Sequence, residues 1–171
     1  LWLIKDILAP IYLAGFIIIF FNIGAIAGNI LASKLIKNFN EKIVGPYLSI
    51  IGSILLYLSI MTMNLYLIVI AIILFGFFTS NVAPIVYRQA VKVSKKPIPV
   101  TISHVSSIGF SGLIFGPAIV GYSAEIFGLT FNMYVLCVVF LISSIIMAYL
   151  MNKKNLERGE EIKPISPRQE K

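Results

Sequence analysis

Long apolar stretches separated by short polar segments make up most of this chain. A helix that crosses a bilayer needs about 20 mainly apolar residues, because about 30 Å of hydrocarbon is covered at 1.5 Å per residue. Five stretches meet this requirement and predict helices at about 10–36, 43–63, 65–87, 99–127 and 130–151. The alternation typical of membrane strands is absent from the sequence. We therefore predict an all-α, multi-pass transmembrane bundle in residues 1–151, followed by a polar tail, 152–171.

The basic residues are unevenly distributed among the polar segments. The connections at 37–42 and 88–97 and the C-terminal tail are rich in Lys and Arg, whereas 62–64 and 127–129 contain neither. Cytoplasmic segments of membrane proteins carry an excess of Lys and Arg. We therefore expect a protein of the cell's inner (plasma) membrane, with both basic connections and the C-terminus in the cytoplasm.

Composition narrows the class further. Hydrophobic residues make up 58% of the 171 residues and charged residues 12%, against about 45–50% and about 25% in soluble domains. Too few polar groups remain to cover a water-facing surface, which argues against a soluble enzyme. The net charge of +7 comes mainly from the connections and the tail, so we expect the lipid bilayer as partner and no nucleic acid.

Residues with catalytic or metal-binding chemistry are scarce. The sequence has no Gly-rich phosphate loop and no His-Glu-x-x-His, and no Asp or Glu lies in the interior of a predicted span. Cys137 is the only cysteine, which leaves no disulfide framework or thiolate cluster. We expect no catalytic residue, metal or cofactor, and so no enzyme. The only histidine, His104, either relays protons or is an interfacial or helix-bonded group.

Two pairs of glycines occur at four-residue spacing inside predicted helices. Gly24 and Gly28 lie in the first span, and Gly112 and Gly116 in the fourth, where Pro117 follows and predicts a kink. Small residues four apart share one helix face and allow a neighbouring backbone to approach closely. Such faces either pack statically or slide during a transport cycle.

Several polar side chains fall within the predicted spans. Polar groups at membrane depth are costly and usually face a partner helix or a cavity. Asn81, for example, has an amide suited either to a substrate hydroxyl or to a neighbouring helix. The candidates for the lining of a substrate cavity are Asn22, Asn81, Ser106, Ser107 and Ser111.

Three segments, taken in order, resemble the major facilitator superfamily. The run from Gly24 to Leu31, followed by Ser33-Lys34, resembles its loop motif, with Gly24, Gly28, Asn29 and Lys34 at motif positions. Asn29 stands where the family has an acidic residue, Ala25 replaces its Arg, and Ile36 replaces its closing Gly. Residues 74–84 and 107–121 look like the tenth and eleventh helices of its bacterial sugar-permease-like members.

The resemblance implies that the five spans are helices eight to twelve of a twelve-helix transporter. It further implies secondary active transport of a small solute by alternating access, possible coupling to a proton or other ion, and a cavity shared with an N-terminal half of the same protein. Because the chain starts at Leu1 rather than Met, we expect about seven further spans upstream. The alternative from another class is a non-transporting multi-pass anchor or assembly subunit.

Overall fold

The computed structural model describes residues 2–38 and 41–158, and within them every regular element is an α-helix. The helices are α1 (Trp2–Lys5), α2 (Ile11–Asn38), α3 (Glu41–Met61), α4 (Leu65–Thr79), α5 (Val82–Val93), α6 (Ile98–Phe127) and α7 (Leu129–Arg158). Five of the described segments are long and apolar enough to cross a membrane: Ile11–Leu31, Val44–Met61, Leu65–Val93, Ile98–Phe127 and Leu129–Asn152. The predicted fold class is confirmed.

Local chemistry explains two of the helix boundaries. Asn64 precedes α4, and its side-chain oxygen accepts hydrogen bonds from the backbone N–H of Tyr66 at 3.0 Å and of Leu67 at 3.5 Å. These bonds satisfy donors that the first turn of a helix leaves without partners. Gly128 joins α6 to α7 in one residue with φ 87°, a conformation that a glycine adopts at little cost.

The third predicted span differs from expectation, since it consists of two helices. α4 ends at Thr79, α5 begins at Val82, and the apolar stretch runs on to Val93 rather than ending near residue 87. Pro84 explains the break, because it has no N–H to donate to the Ser80 carbonyl four residues earlier and its ring crowds that carbonyl. Asn81, expected inside a helix, therefore lies at the junction.

The helices pack in a defined order around α4. α2 packs along one side of α4 and α3 along another, and α7 packs against α3. A cluster that includes Leu56, Ile60, Ile68 and Cys137 forms the core, near the connection between α3 and α4. α6 makes only modest contact with α5 and α7, and its apolar side chains are largely exposed, with Ile108 at 74% and Ile114 at 70%.

The segment before α2 is fixed to the beginning of α7. Trp2 is buried, and its indole Nε1–H donates to the Thr130 hydroxyl at 2.8 Å. The same hydroxyl donates to a carboxylate oxygen of Asp6. The Thr130 hydroxyl thus accepts one hydrogen bond and donates another, and both hold the N-terminal segment against α7.

The polar ends of two long helices differ slightly from the predicted connections. α7 continues to Arg158, so the segment predicted as a tail from residue 152 begins as helix, and residues 159–171 lie outside the described part. α2 reaches Asn38 and α3 starts at Glu41. Residues 39 and 40 of the predicted basic connection lie outside the description.

Candidate functional site

The Gly24–Gly28 face of α2 lies directly against the backbone of α4. A Cβ on Gly24 would overlap the Ile73 carbonyl oxygen and lie 2.8 Å from its carbon, and one on Gly28 would lie 2.9 Å from the Phe77 carbonyl carbon. Gly76 of α4 lies equally close to the backbone of α2, since a Cβ on Gly76 would overlap the carbonyl oxygen of Phe21. Three glycines from two helices therefore interlock, and the two backbones touch.

Asn81 connects the α4–α5 junction to the same face of α2. Its side-chain amide donates to the Gly28 carbonyl oxygen at 3.4 Å and to the Ser80 hydroxyl at 3.1 Å. The Ser80 hydroxyl in turn donates to the Phe77 carbonyl at 3.1 Å, and Asn81 is 5% exposed. Of the two roles predicted for its amide, the bond to a neighbouring helix is present in this structure.

The three candidate serines of α6 do not share one side of the helix, because Ser106 lies on a different side from Ser107 and Ser111. Ser106 faces α5, where its hydroxyl is 3.1 Å from the Tyr87 hydroxyl. Ser107 donates to the Ser103 carbonyl at 2.9 Å and Ser111 to the Ile108 carbonyl at 2.8 Å, and both side chains are exposed.

His104 is exposed and belongs to the same side of α6 as Ser107 and Ser111. Spacings of three and four residues bring the three side chains to one face of the helix. We call these three residues the α6 polar face. It is surrounded by exposed apolar side chains, among them Ile108 and Phe115.

The candidates thus form separate groups rather than one cluster. Asn22 on α2 is exposed, and its amide donates to the Ile18 carbonyl of its own helix at 2.8 Å. The structure brings Asn81 to α2 and Ser106 to α5, whereas the side-chain hydrogen bonds of Asn22, Ser107 and Ser111 are made within their own helices.

The remaining predicted motif residues are distributed over α2 and α6. Asn29 is exposed on α2, and Lys34 belongs to the same helix, although its side chain is outside the described part. A Cβ on Gly112 or Gly116 would meet nothing within 4 Å. Pro117 lies inside α6. The packing role predicted for the second glycine pair stays a prediction.

Two interhelical polar contacts were missed by sequence reasoning. Asn132 of α7 is buried, donates to the Val120 carbonyl of α6 at 2.6 Å and accepts from the Ser123 hydroxyl at 3.0 Å. We call these three residues the α6–α7 clasp. Tyr87, the partner of Ser106, was also missed. An asparagine four residues after the turn glycine was the available signal for the clasp.

Charged and metal-binding groups contribute little to these contacts. Among the described residues, no group of three or more His, Cys, Asp or Glu is placed to hold a metal ion. Between Lys96 and Glu125, His104 is the only residue of the sequence with an ionisable imidazole, ammonium or carboxylate. The surface presented by α6 is therefore made of hydroxyls, one imidazole and apolar side chains.

Comparison with known proteins gives two matches. The family model described as Major Facilitator Superfamily matches residues 1–170. Over 62 residues the chain is 32% identical to an uncharacterized MFS-type transporter of Yersinia pestis. These 62 residues are 36% of this chain and 16% of that protein. The matching segment therefore spans about one sixth of the relative's length. No solved structure matches the chain.

Proposed function

The chain belongs to the major facilitator superfamily, and we propose that it forms helices eight to twelve of a twelve-helix transporter that moves a small solute by alternating access. Five membrane-spanning helices and the alternation of basic and uncharged connections support this assignment. Transporters of this type carry their substrate site near the bilayer midplane, between two halves of the molecule. The family is one of membrane transporters, so the proposed function is transport and not catalysis.

The observation that carries the proposal is the exposed α6 polar face. Ser111 is about 20 Å along a helix about 45 Å long, at 1.5 Å per residue, and is therefore close to the middle of the bilayer. Polar side chains at that depth usually face a protein interior or a water-filled cavity rather than lipid. A facing half of the same transporter would enclose such a cavity against α6.

The hydroxyls of Ser107 and Ser111 suit a solute that donates hydrogen bonds. Each uses its proton on a backbone carbonyl of α6, and each oxygen keeps lone pairs that accept further bonds. Asn22 is exposed in the same way on α2. We propose that these three residues contact the solute and that the protein belongs with the sugar-permease-like members.

Asn81 and Ser106 are better suited to positioning than to contact. Both already bond a neighbouring helix, Asn81 to α2 and Ser106 to the Tyr87 hydroxyl of α5. They would fix the angle at which α5 and α6 approach the cavity. His104, on the α6 polar face, is the proposed proton relay for a coupled cycle.

Water access to the α6 polar face tests the cavity without knowledge of the substrate. The complete transporter, reconstituted in liposomes, would carry Ser107→Cys or Ser111→Cys and be treated with a charged, membrane-impermeant methanethiosulfonate reagent. We expect both positions to react. Ser143→Cys is the matched control, because Ser143 is also exposed and also donates to a carbonyl of its own helix, Val139.

The control position should stay unreactive, because Ser143 lines an apolar groove between α5 and α7 that hydrocarbon rather than water would fill. Equal labelling at Ser143 and Ser111, or none at Ser107 and Ser111, would contradict the cavity. Proteoliposome uptake of a panel of mono- and disaccharides, measured for Ser111→Ala and Ser143→Ala, then tests solute contact. Only Ser111→Ala should reduce uptake at unchanged protein abundance.

A further inference from the structure

A long groove separates α5 from α7 at the end of the bundle that carries the basic connection. Its volume is about 540 Å³. Its lining extends along α5 from Val82 to Val93 and along α7 from Phe140 to Met151. Val93, the last lining residue of α5, is two residues of sequence from Lys95 and three from Lys96.

The surface of this groove is apolar although two serines line it. The Ser143 hydroxyl donates to the Val139 carbonyl at 2.8 Å, and the Ser144 hydroxyl donates to the Phe140 carbonyl at 2.9 Å. The third polar residue of the lining, Gln89, already has an interaction partner. The groove therefore suits a hydrocarbon chain better than a polar solute.

The length of the groove matches one leaflet of a bilayer. The distance from Val82 to Val93 along α5 is about 17 Å at 1.5 Å per residue, and half of a hydrocarbon core is about 15 Å. Because Val82–Val93 forms the second half of the Leu65–Val93 candidate span, the groove would run from mid-membrane to the interface on one side only. An acyl chain that follows α5 would place its headgroup at the basic connection.

Positive charge in the segment that directly follows the groove-lining part of α5 favours an anionic headgroup. Lys95 and Lys96 are exposed in the connection between α5 and α6, and Arg88 and Lys92 belong to the last turns of α5. No Asp or Glu occurs in the sequence from residue 82 to residue 124. Basic pockets between helices on the cytoplasmic side bind anionic lipid headgroups.

We propose that this groove is a binding site for one anionic phospholipid of the cytoplasmic leaflet. An acyl chain lies between α5 and α7, and the phosphate is held at Lys95 and Lys96. The site is separate from the α6 polar face and does not depend on the identity of the transported solute.

Native mass spectrometry of the intact purified protein tests the site. Equal amounts of phosphatidylglycerol and phosphatidylcholine with the same acyl chains are added, and the bound lipid is counted by mass. We expect one phosphatidylglycerol to be retained in preference to phosphatidylcholine. Val86→Trp fills the groove and should abolish retention, whereas Val139→Trp, at an exposed site on α7 outside the groove, should not.

A second variant tests the headgroup without any change inside the bundle. Lys95→Gln with Lys96→Gln should reduce the preference for phosphatidylglycerol on the order of tenfold or more. Lys5→Gln, an exposed lysine at the opposite end of the bundle, should leave the preference unchanged.

Three results would overturn the proposal. The first is equal retention of the two lipids by the unaltered protein, and the second is undiminished retention by Val86→Trp. The third is absence of any retained lipid, which would mean that another helix or a second copy of the chain occupies the groove.

Discussion

The interlocked glycines of α2 and α4 make a sharp prediction about stability, and Gly24→Ala is the smallest change that tests it. The new methyl carbon would lie 2.8 Å from the Ile73 carbonyl carbon and 3.1 Å from the Phe77 nitrogen, and it would overlap the Ile73 oxygen. All three atoms are backbone atoms, so no side chain can rotate away. The helices themselves must separate.

The required displacement sets the magnitude. Non-bonded carbons approach to about 3.5–4.0 Å, so the 2.8 Å contact calls for at least about 0.7 Å of separation, and relief of the oxygen overlap calls for more. A gap of 0.5–1 Å forfeits a quarter to a half of the dispersion energy along an interface. Because overpacking typically costs 1–3 kcal/mol, we expect a loss of about 3 kcal/mol.

The assay is thermal unfolding of the purified protein in detergent, followed by its size-exclusion profile. A loss of this size lowers the midpoint by roughly 6–12 °C for a unit of 150–250 residues. Gly15→Ala is the matched control, because Gly15 lies on the same helix and a Cβ there meets nothing within 4 Å. A Gly24→Ala midpoint equal to that of Gly15→Ala would refute the close approach of α2 and α4.

Further predictions concern orientation, the clasp and the junction. Tyr66→Cys and Phe127→Cys, both exposed, should be labelled by an impermeant thiol reagent from outside intact cells, and Lys96→Cys should be labelled only after lysis; the reverse pattern would overturn the topology. Asn132→Leu removes two interhelical bonds and should cost about 1 kcal/mol, measured as a lower unfolding midpoint that Val139→Leu does not show. Asn81→Leu should lower uptake by the complete transporter together with the unfolding midpoint, since it leaves the Gly28 carbonyl without the amide; loss of uptake at unchanged stability would instead favour direct solute contact.

The number of candidate membrane spans and their helical type could be predicted from the sequence because they depend on local composition. An apolar run of sufficient length must form a helix in lipid, where every backbone group needs a partner. Pro84 was visible in the same sequence, but its consequence depends on context. A proline is tolerated in the first turn of a helix, where Pro84 lies in α5, but the same residue prevents α4 from continuing and so makes Asn81 a junction residue.

Partner choice between helices could not be predicted. Gly24 with Gly28 and Gly112 with Gly116 have the same spacing, yet only the first pair meets another backbone in this structure. The difference lies in the facing helix, where Gly76 provides a complementary surface. The burial of Asn132 could not be predicted for the same reason, because it depends on the position of the Val120 carbonyl on the preceding helix.

The α6–α7 clasp also bears on how the chain enters the membrane during synthesis. α6 is the least apolar of the five candidate spans and α7 the most apolar, so lipid alone stabilises α6 less than the other four. The clasp and the single-residue turn at Gly128 tie the first turns of α7 to the last turns of α6. We therefore expect α6 and α7 to enter the bilayer as one helical hairpin, so that α6 is held there only after α7 has been synthesised.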